Sequence, residues 1–209
     1  MERIERVETP SKIVCVGLNY RDHAAEQNKP LPKEPMVFIK PSTAVIRNGE
    51  PIRIPPGVGR VDHEAELGVV IGKRAYRIPK ERALDYVLGV TCVNDVTARE
   101  LQAKDVQYTR AKGFDTFAPI GPVIVTGYDG RPLKVEGIVN GEVRQSSSTR
   151  ELIFQVDHLI WFISSVMTLL PGDIIATGTP AGIGPIHAGD TVSIRVESVG
   201  ELTNPVEDL

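Results

Sequence analysis

Short apolar runs recur along the 209-residue chain, and turn-forming residues separate them. This pattern is typical of many short strands. Strands are predicted at residues 12–17, 36–40, 44–47, 52–54, 61–71, 86–95, 118–127 and 173–178. Asn140-Gly141 predicts a two-residue turn within a hairpin over 133–147, and Val199-Gly200 predicts a second hairpin over 190–206.

Helix signals are fewer than strand signals and mark residues 19–27, 96–107 and 150–169. In the second segment, Thr97 is followed three residues later by Glu100, which is a capping-box pattern. Ser148 or Thr149 is expected to cap the third segment, which includes an apolar run and is predicted to be a buried helix. Strands outnumber helices without regular alternation. The pattern therefore predicts a strand-rich α+β fold or roll rather than a doubly wound sheet.

Composition and charge exclude several classes of protein. Apolar residues make up 41% of the chain and charged residues 24%, and the formal net charge is −3, which gives no basic field for nucleic acid or an anionic membrane. The apolar run 159–170 is too short to span a bilayer, and the first residues lack the apolar stretch of a secretory signal. We therefore expect a cytoplasmic protein with Cys15 and Cys92 as buried free thiols, while a disulfide remains the alternative.

Acidic residues interrupt the predicted strand at 61–71. Glu64 and Glu66 lie two residues apart, so their side chains point to the same face, where like charges repel. A divalent cation would offset that repulsion, and carboxylate oxygens favour Mg²⁺, Mn²⁺ or Ca²⁺ over zinc. Asp95 ends another apolar strand and is the candidate third ligand. The alternative is an exposed strand face with solvated acids.

A histidine and a glutamate form a second candidate feature. His23 and Glu26 are three residues apart and would be neighbours on a helix. A carboxylate that accepts one imidazole N–H leaves the other nitrogen free to take a proton. The Pro-rich stretch at 28–35 follows them and is expected to be an exposed, mobile loop. A surface His–Glu contact is the alternative.

Three further segments could bind an anionic substrate. Lys112 lies in a loop of small and polar residues, and Lys40 follows an apolar strand and precedes a proline. The Gly-rich segment 176–185 includes Thr179 and could hold a carboxylate through N–H and hydroxyl groups, although it lacks the lysine and spacing of a phosphate loop. A solvated lysine and a tight connection between strands are the corresponding alternatives.

Taken together, the chain resembles the fumarylacetoacetate hydrolase family. The segments that carry the resemblance are CVGLNYRDHAAE (15–26), MVFIKPSTAVI (36–46), DHEAELGVVIGK (62–73), CVNDVTARELQ (92–102), AKGFDTFAPIGP (111–122), VNGEVRQ (139–145) and DIIATGTPAGIGP (173–185). They cover nearly the whole chain. The resemblance implies a mixed β-sandwich roll of the family's catalytic-domain type, one domain over residues 1–209, and a homodimer. Within the family, the chain resembles the single-domain, 2-hydroxyhepta-2,4-diene-1,7-dioate isomerase-like branch.

The resemblance also assigns roles to individual residues. It places the metal ligands, usually for Mg²⁺, on Glu64, Glu66 and Asp95, the catalytic pair on His23 and Glu26, the active-site lysine on Lys112, and pocket-lining side chains on Lys40, Arg99, Gln102 and Thr179. Residues 18–35 would form a lid that orders when ligand binds.

The function that the resemblance implies is metal-dependent chemistry on 2-oxo or 2-hydroxy-dienoic acids. The first expectation is C–C hydrolysis of acylpyruvates, in which His23 and Glu26 activate water and Lys112 stabilises the oxyanion, with an enolate stabilised by the metal. Isomerisation or decarboxylation of 2-hydroxymuconate-type acids, and oxaloacetate decarboxylation, rank close behind. A sugar-acid dehydratase and a non-catalytic metal- or ligand-binding protein are more remote alternatives. Neither a nucleic acid nor a membrane is expected as a partner.

Overall fold

The computed structural model describes residues 3–4 and 7–209, and strands dominate it. The strands are β1 (Arg3–Ile4), β2 (Lys12–Gly17), β3 (Met36–Pro41), β4 (Val45–Ile46), β5 (Ile52–Ile54), β6 (Val61–His63), β7 (Ala65–Ile71), β8 (Val87–Asn94), β9 (Thr97–Ala98), β10 (Ala118–Thr126), β11 (Lys134–Val139), β12 (Glu142–Ser148), β13 (Ile174–Ala176), β14 (Gly184–Pro185), β15 (Thr191–Val196) and β16 (Gly200–Asp208). The α-helices are α1 (Arg21–Glu26), α2 (Arg99–Lys104), α3 (Thr109–Lys112) and α4 (Val156–Val166), and 3-10 helices cover Ser42–Ala44, Lys80–Tyr86 and Thr149–Glu151.

These strands form three sheets. An eight-stranded sheet runs β1-β10-β8-β7-β13-β2-β3, with β4 also paired to β10, and a five-stranded sheet runs β12-β11-β15-β16-β5. A small sheet runs β14-β6-β9. Antiparallel pairs predominate, while β13 with β2, β10 with β4, and β16 with β5 are parallel. The mixed sheets confirm the predicted strand-rich α+β roll.

The main core lies where the two larger sheets pack together, with β7 and β8 against β11, β15 and β16. All seven residues of β7 are buried, so this strand reads as a continuous apolar run broken only by Glu66. Leu67 and Val69 from the large sheet and Ile194 and Leu202 from the smaller one belong to the same cluster of buried side chains. An acid in such a strand needs a compensating partner.

The predicted cysteine state and the first helix are confirmed. Both Cys15 and Cys92 are buried free thiols, and burial raises the pKa of Cys92 to about 12, which keeps it protonated. The helix predicted over 19–27 is α1. No helix in the described part of the chain is long and apolar enough to cross a membrane.

The helix predicted over 96–107 is shorter than expected, because α2 begins only at Arg99. Thr97 belongs to β9, where it pairs with Asp62 of β6. Its hydroxyl donates to the Asp95 carbonyl at 2.8 Å and does not cap the helix. Pairing with a distant strand therefore overrides the local capping pattern.

The helix predicted over 150–169 is also shorter, because it covers only α4. The Ser148 hydroxyl accepts from the Arg150 N–H, but it caps the preceding 3-10 turn rather than α4. One face of α4 is buried, while Trp161 on another face is 37% exposed, so the helix is amphipathic rather than wholly buried. Beyond it, Leu169 forms a bridge to Ala75 in an extended conformation, which ends the helix early.

Candidate metal centre and adjoining cavity

Three carboxylates from two neighbouring strands meet at one point. Glu64 lies at the break between β6 and β7, Glu66 lies on β7, and Asp95 directly follows β8. The strand register pairs Glu66 with Val93, which brings the end of β8 beside the acids. One carboxylate oxygen from each of the three acids lies within 4.8 Å of the others, and all three residues are at most 5% exposed. The structure thus brings the predicted ligands together, and their oxygens fit a hard divalent cation.

Two buried lysines contact these acids. Lys112 at the end of α3 places its Nζ 2.9 Å from Glu64 Oε2 and 2.6 Å from Asp95 Oδ2. Lys40 at the end of β3 donates to Asp95 Oδ1 at 2.6 Å and to the Val96 carbonyl at 2.9 Å. Burial opposes the charge of Lys112, but Asp95 and Glu64 outweigh it and raise the pKa of Lys112 above its usual value. The lysine is therefore a cation.

The two glutamates have opposite electrostatic surroundings. Burial would raise the pKa of Glu64, but Lys112 and Arg99 outweigh it and hold that pKa well below its usual range. Burial, Asp95 and Glu64 together raise the pKa of Glu66. Glu66 Oε2 accepts the Gly178 N–H at 2.8 Å, and no lysine or arginine among residues 7–209 forms an ion pair with it. Glu66 is thus the acid that a bound cation would help most.

Arg99 holds the outer side of the acidic cluster. Its guanidinium donates to Glu64 Oε1 at 2.5 Å, to Asp62 Oδ2 at 2.8 Å and to Gln102 Oε1 at 2.9 Å. Asp62 also pairs with Arg60, so this fourth acid is satisfied by two arginines. Arg99 therefore orients Glu64 and leaves the amide N–H groups of Gln102 available as donors.

The predicted His–Glu pair forms on α1, an element separate from the strands that carry the acids. His23 Nδ1 lies 3.1 Å from Glu26 Oε2, and His23 Nε2 lies 2.8 Å from Gln27 Nε2. These contacts fit a neutral imidazole that donates from Nδ1 and accepts at Nε2. The second Glu26 oxygen accepts the Gly182 N–H at 3.1 Å, which ties the helix to the Gly-rich segment.

A cavity of about 570 Å³ joins the two sides. Its lining comprises Val16, Gly17, Leu18, His23, Gln27, Lys29, Met36, Phe38, Glu64, Glu66, Asp95, Arg99, Gln102, Ala103, Tyr108, Lys112 and Thr179. Two predicted site residues lie behind this lining rather than in it. Glu26 is behind His23, and Lys40 is fully buried behind Asp95. Lys40 therefore contacts the acid and not the cavity.

Several residues at the site were missed by sequence reasoning. The buried Asn19 side chain bonds to Thr177 and Phe154, which fastens the β2–α1 turn to the Gly-rich segment. Gly178 has φ +101°, and a Cβ there would lie 2.8 Å from the Asn19 Cβ. Only glycine allows both this conformation and the approach of its N–H to Glu66. The Gly-rich composition of residues 176–185 is the sequence feature that could have indicated this close approach.

The family model that matches the chain is the C-terminal domain of fumarylacetoacetate (FAA) hydrolase, over residues 12–207. The chain belongs to this family. Oxaloacetate tautomerase fahd2, mitochondrial, from Xenopus laevis is 42% identical in an alignment that covers 96% of this chain and 66% of that protein.

Two crystal structures of family members are close in fold. The 5-carboxymethyl-2-hydroxymuconate delta-isomerase from Mycobacterium smegmatis is 49% identical, with a TM-score of 0.90 over 96% of this chain and 80% of that one. Fumarylpyruvate hydrolase from Pseudomonas aeruginosa, in complex with Mn²⁺ and pyruvate, is 31% identical, with a TM-score of 0.88 over 95% of this chain and 90% of that one. Relatives of this chain therefore include isomerases, tautomerases and hydrolases.

Proposed function

We propose that the protein is a divalent-metal-dependent enzyme that interconverts the keto and enol forms of 2-oxo dicarboxylic acids. One observation carries the proposal: the buried triad of Glu64, Glu66 and Asp95 and the imidazole of His23 line the same cavity. A cation held by the triad would bind the 2-oxo carboxylate and stabilise the negative charge of an enolate. The higher identity to the isomerase and tautomerase relatives than to the hydrolase favours proton transfer over C–C cleavage.

His23 is the proposed base. The Gln27 side chain first breaks its hydrogen bond to His23 Nε2, and the freed Nε2 lone pair then takes a proton from C3 of the substrate. Glu26 stabilises the imidazolium that forms. The C–H electron pair becomes the C2–C3 double bond, and the carbonyl electron pair moves onto oxygen. Return of the same proton to that oxygen gives the enol and regenerates neutral His23, so no other reactant is consumed.

The remaining polar residues bind and orient the substrate in this proposal. The ammonium of Lys112 offsets charge that develops on the enolate oxygen. The amide of Gln102 donates to the carboxylate next to the keto group. Lys29, an exposed lid residue that lines the cavity, pairs with the second carboxylate. Lys40 fixes the orientation of Asp95 and acts on the substrate only through it.

Hydrolysis of acylpyruvates, the first expectation from the sequence, is the second candidate. The His23–Glu26 pair favours it, because such a pair can also deprotonate a water molecule. The hydrolase of known structure that binds Mn²⁺ and pyruvate supports a common enolate step. The two candidates differ in the proton that His23 takes. In tautomerisation the proton comes from C3, whereas in hydrolysis it comes from a water that attacks the distal carbonyl, after which the C–C bond breaks to leave the pyruvate enolate and a carboxylic acid.

Five finer features belong to the same proposal. Mg²⁺ is the proposed physiological metal, with Mn²⁺ as a substitute, and the protein is proposed to act as a cytoplasmic homodimer. Residues 1–209 are proposed to form one domain, and residues 18–35 a lid that closes over the substrate. Seven of the eight residues between Asn28 and Pro35 are exposed or partly exposed, which suits such a movement.

The test measures keto–enol conversion of oxaloacetate by ultraviolet absorbance, with Mg²⁺ or Mn²⁺ and against metal alone. The wild-type protein is expected to accelerate the conversion, and Glu64→Gln to lose at least about 100-fold of that acceleration, since a neutral amide is a poor ligand for a hard cation. Glu81→Gln, an exposed acid away from the cavity, is the matched control.

Parallel assays separate the candidates. Pyruvate release from an acylpyruvate without oxaloacetate tautomerisation would favour the hydrolase, and CO₂ release from oxaloacetate would indicate a decarboxylase. A protein that binds Mn²⁺ but changes none of these three rates would contradict the enzymatic proposal.

A further inference from the structure

Gln145 is the one fully buried residue of β12, a strand at the edge of the five-stranded sheet that is otherwise exposed or partly exposed. The pairing of β12 with β11 shifts at this point, from Gly137 with Gln145 to Ile138 with Val143. The shift leaves Arg144 as an extra residue on β12. Such a bulge bends the strand and redirects a side chain, and here it accompanies the burial of Gln145.

The side-chain amide of Gln145 makes four hydrogen bonds. Its Oε1 accepts from the Ala65 N–H at 2.9 Å and from His63 Nδ1 at 3.1 Å. Its Nε2 donates to Thr179 Oγ1 and to the Pro180 carbonyl, both at 2.8 Å. Both amide atoms are therefore fully used within the protein, so Gln145 has no capacity left to bind a substrate.

These contacts reach both sides of the metal centre. His63 and Ala65 are the residues immediately before and after Glu64, at the break between β6 and β7. Thr179 lines the cavity and donates its hydroxyl hydrogen to the Ala65 carbonyl at 3.0 Å. One amide thus links the backbone that carries Glu64 to the Gly-rich segment whose Gly178 N–H binds Glu66.

The neighbouring strand leaves space for this network. Gly137 on β11 faces Gln145, and a Cβ there would lie 2.7 Å from Gln145 Oε1 and 3.2 Å from His63 Nδ1. Its backbone φ is not in the left-handed region, so the missing side chain and not the conformation is what the site needs.

We propose that Gln145 is a positioning residue that sets the distance between Glu64 and the Thr179 segment, and thereby the geometry of the metal centre. The inference rests on the proposed metal-dependent function. Residues that orient metal ligands typically change metal affinity or activity by about 10- to 100-fold when they are replaced.

The test compares three variants in the full chain. Gln145→Met keeps the volume and removes all four hydrogen bonds, and Gly137→Ala displaces the amide without removing a polar group. Asn204→Leu is the matched control, because Asn204 is a buried amide of the same sheet that donates to two carbonyls, of Arg47 and Glu50, away from the cavity. Mn²⁺ affinity is measured by calorimetry, and the midpoint of thermal unfolding is measured separately.

Gln145→Met is expected to bind Mn²⁺ about 10- to 100-fold more weakly, and Gly137→Ala about 3- to 10-fold more weakly. Asn204→Leu is expected to lower the unfolding midpoint while keeping the wild-type Mn²⁺ affinity. Wild-type affinity in both Gln145→Met and Gly137→Ala would overturn the inference and leave the proposed function standing. Absence of Mn²⁺ uptake by the wild-type protein would overturn both.

Discussion

The two sides of the cavity are built differently. On one side, the acids and Lys112 are at most 5% exposed and are held by strands, lysines and Arg99. On the other side, His23 lies on a helix of six residues, and the Glu26 side chain that supports it is 42% exposed. Burial and dense hydrogen bonding resist local opening, and α1 contributes only two buried residues. The proposed charge binding thus resides on these buried acids and Lys112, called the wall below, and the proposed proton transfer on residues 18–35, the segment proposed as a lid.

The largest expected effect is the loss of kcat when His23 is replaced, because this variant affects the proposed base and leaves the acids in place. His23→Gln should lower kcat by about 100- to 10,000-fold, because it removes the base, and should leave Mn²⁺ affinity unchanged. Steady-state kinetics and calorimetry on the same preparation check both halves of this prediction.

The control for this variant is His187→Gln. His187 is exposed and lies 3.6 Å from Asp190 in the same i,i+3 arrangement, outside the cavity lining. The His187→Gln variant should keep the wild-type kcat. Weaker Mn²⁺ binding in His23→Gln would show that the wall and the lid are not independent.

A smaller effect is expected at Glu66 on the wall, where one substitution should weaken metal binding but stabilise the metal-free protein. Glu66→Gln should weaken Mn²⁺ binding by about 10- to 100-fold. Without metal at neutral pH, the same variant should be more stable than the wild type, with an unfolding midpoint higher by roughly 2–4 °C. Because burial, Asp95 and Glu64 raise the pKa of Glu66, its contribution to stability is present below the unfolded pKa and is lost as pH rises through the folded pKa.

Thermal unfolding with and without Mn²⁺ tests this prediction, since Glu66→Gln should melt above the wild type without metal and should gain less stability from Mn²⁺. Glu136→Gln serves as the contrasting acid, since its hydrogen bond to Lys134 lowers the pKa of Glu136. That variant should lose stability rather than gain it. A metal-free Glu66→Gln protein that melts below the wild type at neutral pH would contradict the electrostatic account of the wall.

The smallest effect is expected at Lys29, which lies in the segment proposed as a lid. Lys29→Met should raise the KM for oxaloacetate by about 3- to 10-fold with little change in kcat, because an exposed ion pair contributes little. Lys33→Met, an exposed lysine of the same loop outside the cavity lining, is the control. Equal KM values in the two variants would remove Lys29 from the proposed substrate contacts.

The three acids of the wall could be predicted from the sequence better than the residues that hold them in place. Glu64 and Glu66 interrupt an apolar strand and Asp95 ends another, so the strand period and the cost of burying charge point to one cation site. The strand-rich fold was predictable for the same reason, since apolar runs and turns are local signals.

The supports depend on long-range contacts that no local pattern encodes. Thr97 carries a capping signal, yet it pairs with Asp62 of β6 in the small sheet. Lys40 was predicted to contact the substrate, but the fold places it behind Asp95. Gln145 lies 80 positions from Ala65 in the sequence, and only the packing of the two large sheets brings them together. Such partners emerge from topology.

Lys112 serves the acidic cluster as a built-in counter-ion. Its ammonium already neutralises part of the charge of Glu64 and Asp95, so an arriving divalent ion gains less Coulomb energy than it would from three bare carboxylates. Because Lys112 already pairs with Glu64 and Asp95, the three acids can keep this arrangement without a cation, and a divalent ion bound there would exchange with the surrounding solution more readily than one held by three bare carboxylates.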